Sequence, residues 1–143
     1  MNVWPPYLAA GVRVRHISDD FRRVDVALRL GLFNRNYVNV HFGGSLFAMT
    51  DPFYMLMYMK NLGPDYVVWD KAASIDFVLP GRGTVTAEFQ LNEDDFSRAR
   101  EQASEQKSVL LLHPVEILNA ERRLVARVER TIYVRRKSES KAG

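Results

Sequence analysis

The chain has 143 residues, 47% of them hydrophobic and 26% charged, with a formal net charge of +3. That length suits one domain around one core, and that balance excludes a disordered or membrane-embedded chain. Cysteine is absent, which removes disulfides, thiolate metal sites and a cysteine nucleophile and leaves His, Asp, Ser, Thr and Tyr to carry any chemistry.

The opening Met1 to Ala10 has no basic stretch followed by an apolar one, and no segment is apolar for long enough to span a bilayer. The expectation is a cytoplasmic protein with no membrane partner. The first strand is predicted over 12–17, then a turn at Ser18, Asp19 and Asp20, then a second strand over 23–30. In that strand Val24, Val26, Leu28 and Leu30 face one way while Arg23, Asp25 and Arg29 face the other, the period of a half-buried strand.

The segment 45–62 differs in kind. Between Leu46 and Met59 its only polar groups besides tyrosine hydroxyls are Thr50 and Asp51, so a helix here is apolar nearly all round and must be buried. Pro52 lacks an N–H and predicts a kink at that point. Strands follow over 66–78, 84–91, 109–118 and 124–134, with turn chemistry at Pro80 to Gly83 and Asn119 to Glu121. Residues 94–107, rich in Glu, Arg, Ala and Gln without Gly or Pro, predict a short exposed helix. The result is an α+β chain in which about six antiparallel strands, in a meander-like series, wrap one long central helix. A single domain is expected over 1–137 and a polar tail over 138–143. The basic run Arg135, Arg136, Lys137 and Lys141 reads as that solvated tail, with no interleaved aromatic residues to suggest a nucleic-acid partner.

The candidate chemistry gathers before and within the central helix. His41-Phe42-Gly43-Gly44-Ser45 precedes it, and the glycine pair allows a sharp turn and a close approach to the main chain. The first helical turn presents unpaired N–H groups and the positive end of the helix dipole, which suits a developing oxyanion. Alternatively the glycines only make a tight turn, with Ser45 as N-cap. Asp51 is a carboxylate in an apolar helix, a costly placement unless it is paired, hydrogen-bonded or open to a cavity, and hence a functional candidate. Its structural alternative is a carboxylate that caps a neighbouring backbone amide or faces an arginine across a dimer interface. His16, His41 and His113 show no metal-ligand spacing, so no metal is expected.

With Gly43-Gly44-Ser45-Leu46-Phe47-Ala48-Met49-Thr50-Asp51, the chain resembles the hotdog-fold acyl-CoA thioesterases, in particular the branch of the phenylacetate-pathway enzyme. Phe42, standing between His41 and Gly43, and Pro52, following Asp51, depart from that branch and mark a divergent group. The resemblance implies a homodimer joined edge to edge, or a tetramer of two such dimers, with composite sites between subunits. It implies hydrolysis of acyl-CoA or another acyl thioester, with coenzyme A as part of the substrate and no other cofactor. The N–H groups of Gly44 and Ser45 would polarise the thioester carbonyl, and Asp51 would activate water or attack as nucleophile.

His41 would contact the carbonyl or orient water, or serve the fold alone. Gly43 and Asn36 are candidates for substrate contact, Asn34 and Asn36 also for holding their loop. Arg82 is a candidate for a coenzyme A phosphate. Arg130 interrupts an apolar strand face and has three readings: pairing with a buried carboxylate, a place at an oligomer interface, or contact with a coenzyme A phosphate. The stretch from Phe53 to Met59 reads as core, part of which could line an acyl tunnel. Two other functions compete on the same fold, a non-catalytic acyl-thioester-binding module and a 3-hydroxyacyl thioester dehydratase.

Overall fold

The computed structural model describes residues 1–138, so all but the first residue of the expected tail, 139–143, lies outside the described residues. The elements follow in the order α1 (Pro5–Ala10), β1 (Val12–Ile17), β2 (Arg23–Arg29), α2 (Gly43–Ala48), α3 (Phe53–Leu62), β3 (Tyr66–Phe77), β4 (Thr84–Gln90), α4 (Glu93–Glu105), β5 (Val109–Leu118) and β6 (Leu124–Arg136). The strands form one antiparallel sheet in the order β1-β2-β4-β5-β6-β3. This is the hotdog arrangement, an α+β fold with the sheet wrapped around the central helical segment. Sequence neighbours pair as expected except β3, which lies at the far edge beside β6 instead of between β2 and β4. The α2–α3 segment separates β2 from β3 and returns the chain at the other edge.

Alternation creates the core. Val24, Val26 and Leu28 of β2 stand in register with Phe89, Ala87 and Val85 of β4, and all six are buried. Against them pack Phe53 and Met57 of α3, each closed from solvent and each contributing about 1.5–3 kcal/mol of hydrophobic stabilisation. Helix α4 is amphipathic, buries Phe96, Ala99 and Ala103, and starts with a reciprocal cap between Asn92 and Asp95. The sequence reading did not assign α1. Pro5 starts it and Gly11, at φ 78, ends it in the left-handed region that glycine adopts without strain.

The central helix is broken where Pro52 stands. Pro52 has no N–H to give, and the carbonyl of Ala48 receives the N–H of Asp51 instead, at 3.2 Å. Thr50 turns both its N–H and its hydroxyl onto the carbonyl of Phe47, at 3.1 and 2.8 Å. Asp51 is thereby lifted out of the helix into the joint between α2 and α3. Among the described residues no helix is long and apolar enough to cross a membrane.

Candidate functional site

The loop from Leu30 to Phe42 is held by its own polar side chains. Asn34 is buried, donates to the carbonyls of Ala10 and Arg29, and accepts the N–H of Gly31 at 2.7 Å. Asn36 accepts the N–H groups of Val38 and Val40. His41 gives its N–H to the carbonyl of Gly81 and its ring Nε2–H to the carbonyl of Gly83, at 2.9 and 2.8 Å. A carbonyl only accepts, so Nε2 carries the proton and Nδ1 is the lone-pair nitrogen. That Nδ1 is buried and has no partner among the described residues. Burial lowers the His41 pKa, the contact with Gly83 opposing it, and the ring is neutral at pH 7. Beside it opens a cleft of about 370 Å³ lined by Asn36, His41, Gly43, Leu46, Phe77 and Leu79, among others.

The glycine pair opens α2 as its first two residues, with Phe42 at the N-cap in an extended conformation. Ser45 is therefore not the cap but the third helical residue, and its N–H already donates to the carbonyl of Phe42 at 3.0 Å. The N–H groups of Gly43 and Gly44 meet no acceptor among the described residues. A Cβ on Gly43 would come within 2.9 Å of the Phe77 ring, and one on Gly44 would overlap the ring of Phe42. The close approach that the glycines permit is taken up by aromatic rings of the same chain.

Asp51 lies elsewhere. Its Oδ1 is 3.1 Å from Nη2 of Arg130 on β6, and the same nitrogen is 3.4 Å from Oδ2 of Asp70 on β3. The arginine side chain is only 4% exposed while that of Asp51 is 55% exposed. The carboxylate expected in a buried helix thus stands at the surface of the single chain, with its counter-ion buried beneath it. Phe47 closes the arginine from above, its ring centre 5.4 Å from the guanidinium carbon. The hydroxyl of Tyr7, the buried residue of α1, donates to the backbone carbonyl of Asp51, and burial pushes the phenol pKa up so that it stays a donor.

The predicted residues therefore form two groups. Asn36, His41 and Gly43 line the cleft, with Gly44 and Ser45 beside it, while Asp51 and Arg130 form an ion pair outside its lining. Arg82 is exposed in the turn before β4 and joins neither group. Arg130 is enclosed by two carboxylates, the ion-pair reading among its three. Phe53, Tyr54, Met57 and Tyr58 are core, as expected of most of that stretch, and are not among the residues that line this cleft. Two polar arrangements were missed. One is Asp70, whose signal was its place two residues from Val68 on the inward alternation of β3; apolar residues on both sides of that alternation and a bulge before Ala72 obscured it. The other is a 2.7 Å hydrogen bond beneath α4 between Tyr58 and His113, whose pKa burial lowers.

Solved structures share this fold at low sequence identity. A Pseudomonas aeruginosa protein of unknown function aligns with a TM-score of 0.79 and 16% identity, over 90% of this chain and 85% of its own. The Haemophilus influenzae thioesterase gives 0.69 and 14% identity, over 98% and 89%. The PaaI protein of the Escherichia coli phenylacetic acid degradation operon gives 0.63 and 18% identity, over 96% and 87%. None of the curated proteins matches the chain. A family model does, over residues 1–134, and the chain belongs to that family, the domain of unknown function DUF4442.

Proposed function

We propose that the protein hydrolyses acyl thioesters, acyl-CoA among them, to the free acid and the thiol. The observation that carries this reading is Asp51: a carboxylate open to solvent, held by a buried arginine, at the joint of the central helix of a hotdog fold. The Haemophilus influenzae neighbour, named a thioesterase, supports the reaction class.

The site is composite. Strand β3 is the sheet's edge beside β6, its other side unpaired among the described residues, and a second copy adding there would join two sheets edge to edge. Such a dimer sets Asp51 of one chain near the glycine pair of its partner, which accounts for a single chain dividing these residues into two groups. The N–H of Gly44 donates to the thioester oxygen as negative charge builds there. Asp51 takes a proton from water as the water oxygen bonds to the carbonyl carbon; the carbon–sulfur bond then breaks and the thiolate recovers the proton. If Asp51 attacks as a nucleophile instead, its oxygen bonds to the carbonyl carbon as the thiolate leaves, and water then opens the resulting acyl–Asp51 anhydride to the same acid; borohydride reduction during turnover, which traps that anhydride, separates the two routes. Arg82 meets a phosphate of coenzyme A, which enters only as part of the substrate.

Thiol release from a panel of acyl-CoA substrates tests this. Asp51→Asn keeps the shape and loses the base, and turnover falls by roughly 10²- to 10⁴-fold. Hydration without thiol release identifies a dehydratase, and binding without turnover identifies a non-catalytic module. A folded, assembled Asp51→Asn protein with wild-type turnover removes Asp51 from the reaction.

A further inference from the structure

We propose that Asp70 and Asp51 share a single proton across Arg130, with Asp70 holding it, so that Asp70 is a positioning residue that keeps Asp51 ionised and aimed. The catalytic part of this rests on the reading of Asp51 given above; the proton sharing stands without it.

Geometry carries the case. Nη2 of Arg130 is the meeting point of both carboxylates, at 3.1 Å from Asp51 and 3.4 Å from Asp70. One cation cannot neutralise two anions. Water relieves the excess charge on Asp51, whose side chain is 55% exposed. Asp70 has no such relief, since both its oxygens are closed from solvent and neither makes a hydrogen bond among the described residues. A carboxylate whose oxygens are closed from water, and which shares its cation with Asp51, is the costlier of the two to ionise, so the proton settles there.

Among the described residues, the groups packed around the pair add no second cation. From β6 comes Arg130 itself, and from α2 the ring of Phe47 that covers it. From α1 comes Tyr7, a phenol that keeps its proton and donates to the Asp51 backbone. His113 of β5 stands in register with Arg130, but its ring is bonded to Tyr58 and burial keeps it neutral. Burial likewise raises the Asp70 pKa; Arg130 opposes the shift and the charge of Asp51 adds to it. Once protonated, Asp70 has an O–H to donate, which an ionised carboxylate lacks. Asp51 then holds Arg130 alone, and its position depends on that pairing.

Carboxyl ¹³C titration of the wild-type protein reads the pair without any assay of hydrolysis. Asp70 titrates above the ordinary carboxylate value of about 3.9, and its value falls in Asp51→Asn, which removes the neighbouring negative charge. Stability gives an independent reading. A carboxyl with a raised folded pKa stabilises fully at pH below its unfolded value, and that contribution is lost as pH rises through the folded value. Wild type therefore loses stability over that window and Asp70→Asn, which cannot ionise, does not. In hydrolysis Asp70→Asn keeps kcat within about threefold and loses the decline with rising pH, whereas Asp70→Ala falls by about 10²-fold, the scale of a displaced reacting group. An Asp70 that titrates at or below the ordinary value, or that is unmoved in Asp51→Asn, overturns the proposal. A raised Asp70 value alongside wild-type turnover in Asp51→Asn leaves the shared proton standing and removes the hydrolytic reading.

Discussion

Arg130 is the residue on which the polar part of this molecule turns. A guanidinium with 3% of the residue exposed is tolerable only because Asp51 and Asp70 reach it, and Asp70 is tolerable as an anion only because Arg130 reaches it. Replacing the cation by methionine fills a similar volume but leaves Asp70 buried without a counter-charge. Arg130→Met is expected to cost about 3 kcal/mol at pH above the raised Asp70 value, where Asp70 is ionised, the low end for a broken buried pair because Asp51 keeps its water. The loss shrinks below that value, where Asp70 holds its proton and asks for no counter-charge. Urea unfolding of both proteins below and above the Asp70 value measures this, and an equal loss on the two sides would show that packing rather than charge holds the arginine.

At the scale of elements, the joint between α2 and α3 and the turn before β4 place the two groups of site residues. The joint exists because proline cannot continue the hydrogen-bond ladder, and it turns Asp51 outward while Leu46 and Phe53 on either side stay in the core. The turn works by contact. Gly81 is buried, and a Cβ there would meet His41 Cδ2 at 3.0 Å and Val125 Cγ1 at 3.3 Å. Neither neighbour can yield, since His41 is held between the carbonyls of Gly81 and Gly83 and Val125 is fully buried. Gly81→Ala is expected to cost roughly 1–3 kcal/mol, the range for overpacking a filled site. It should also change the cleft, because His41 is what the methyl group displaces. Thermal melting reads the first effect, and an unchanged melting temperature would mean that the turn moves as a unit.

For the whole molecule, the open side of β3 and the exposed apolar residues on the loop before α2 point the same way. Phe33, Tyr37 and Val38 are exposed on that loop, as are Phe42 and Phe77 beside the glycine pair. The other face of the sheet carries a stacked Trp69–Tyr133 pair, ring centres 4.3 Å apart, with Leu110 and Leu112 exposed nearby. A protein that assembles through the β3 edge covers the first set, and one that pairs again back to back covers the second. Light scattering at micromolar concentration is expected to return a dimer or tetramer mass. A monomer mass in a preparation that hydrolyses thioesters at full rate would remove the composite site.

The sequence by itself determined every strand and the place where the central helix breaks. Both are local consequences: a strand buried on one side must alternate, and proline has no N–H wherever the chain goes. The strands expected over 12–17 and 109–118 have those same limits in the structure, and the others agree within a residue or two at each end. Asp51 and Arg130 stood out because each interrupts an apolar pattern, which marks a residue without naming its partner. Only the tertiary structure decided that β3 lies at the far edge, since that depends on where the helical segment delivers the chain. The same crossing brings Asp70 beside Arg130, 60 positions later in the sequence, and divides the cleft at His41 from the carboxylate at Asp51. Contacts between residues far apart in the chain leave no periodic trace in the sequence, because their closeness is a property of the sheet order and of nothing nearer.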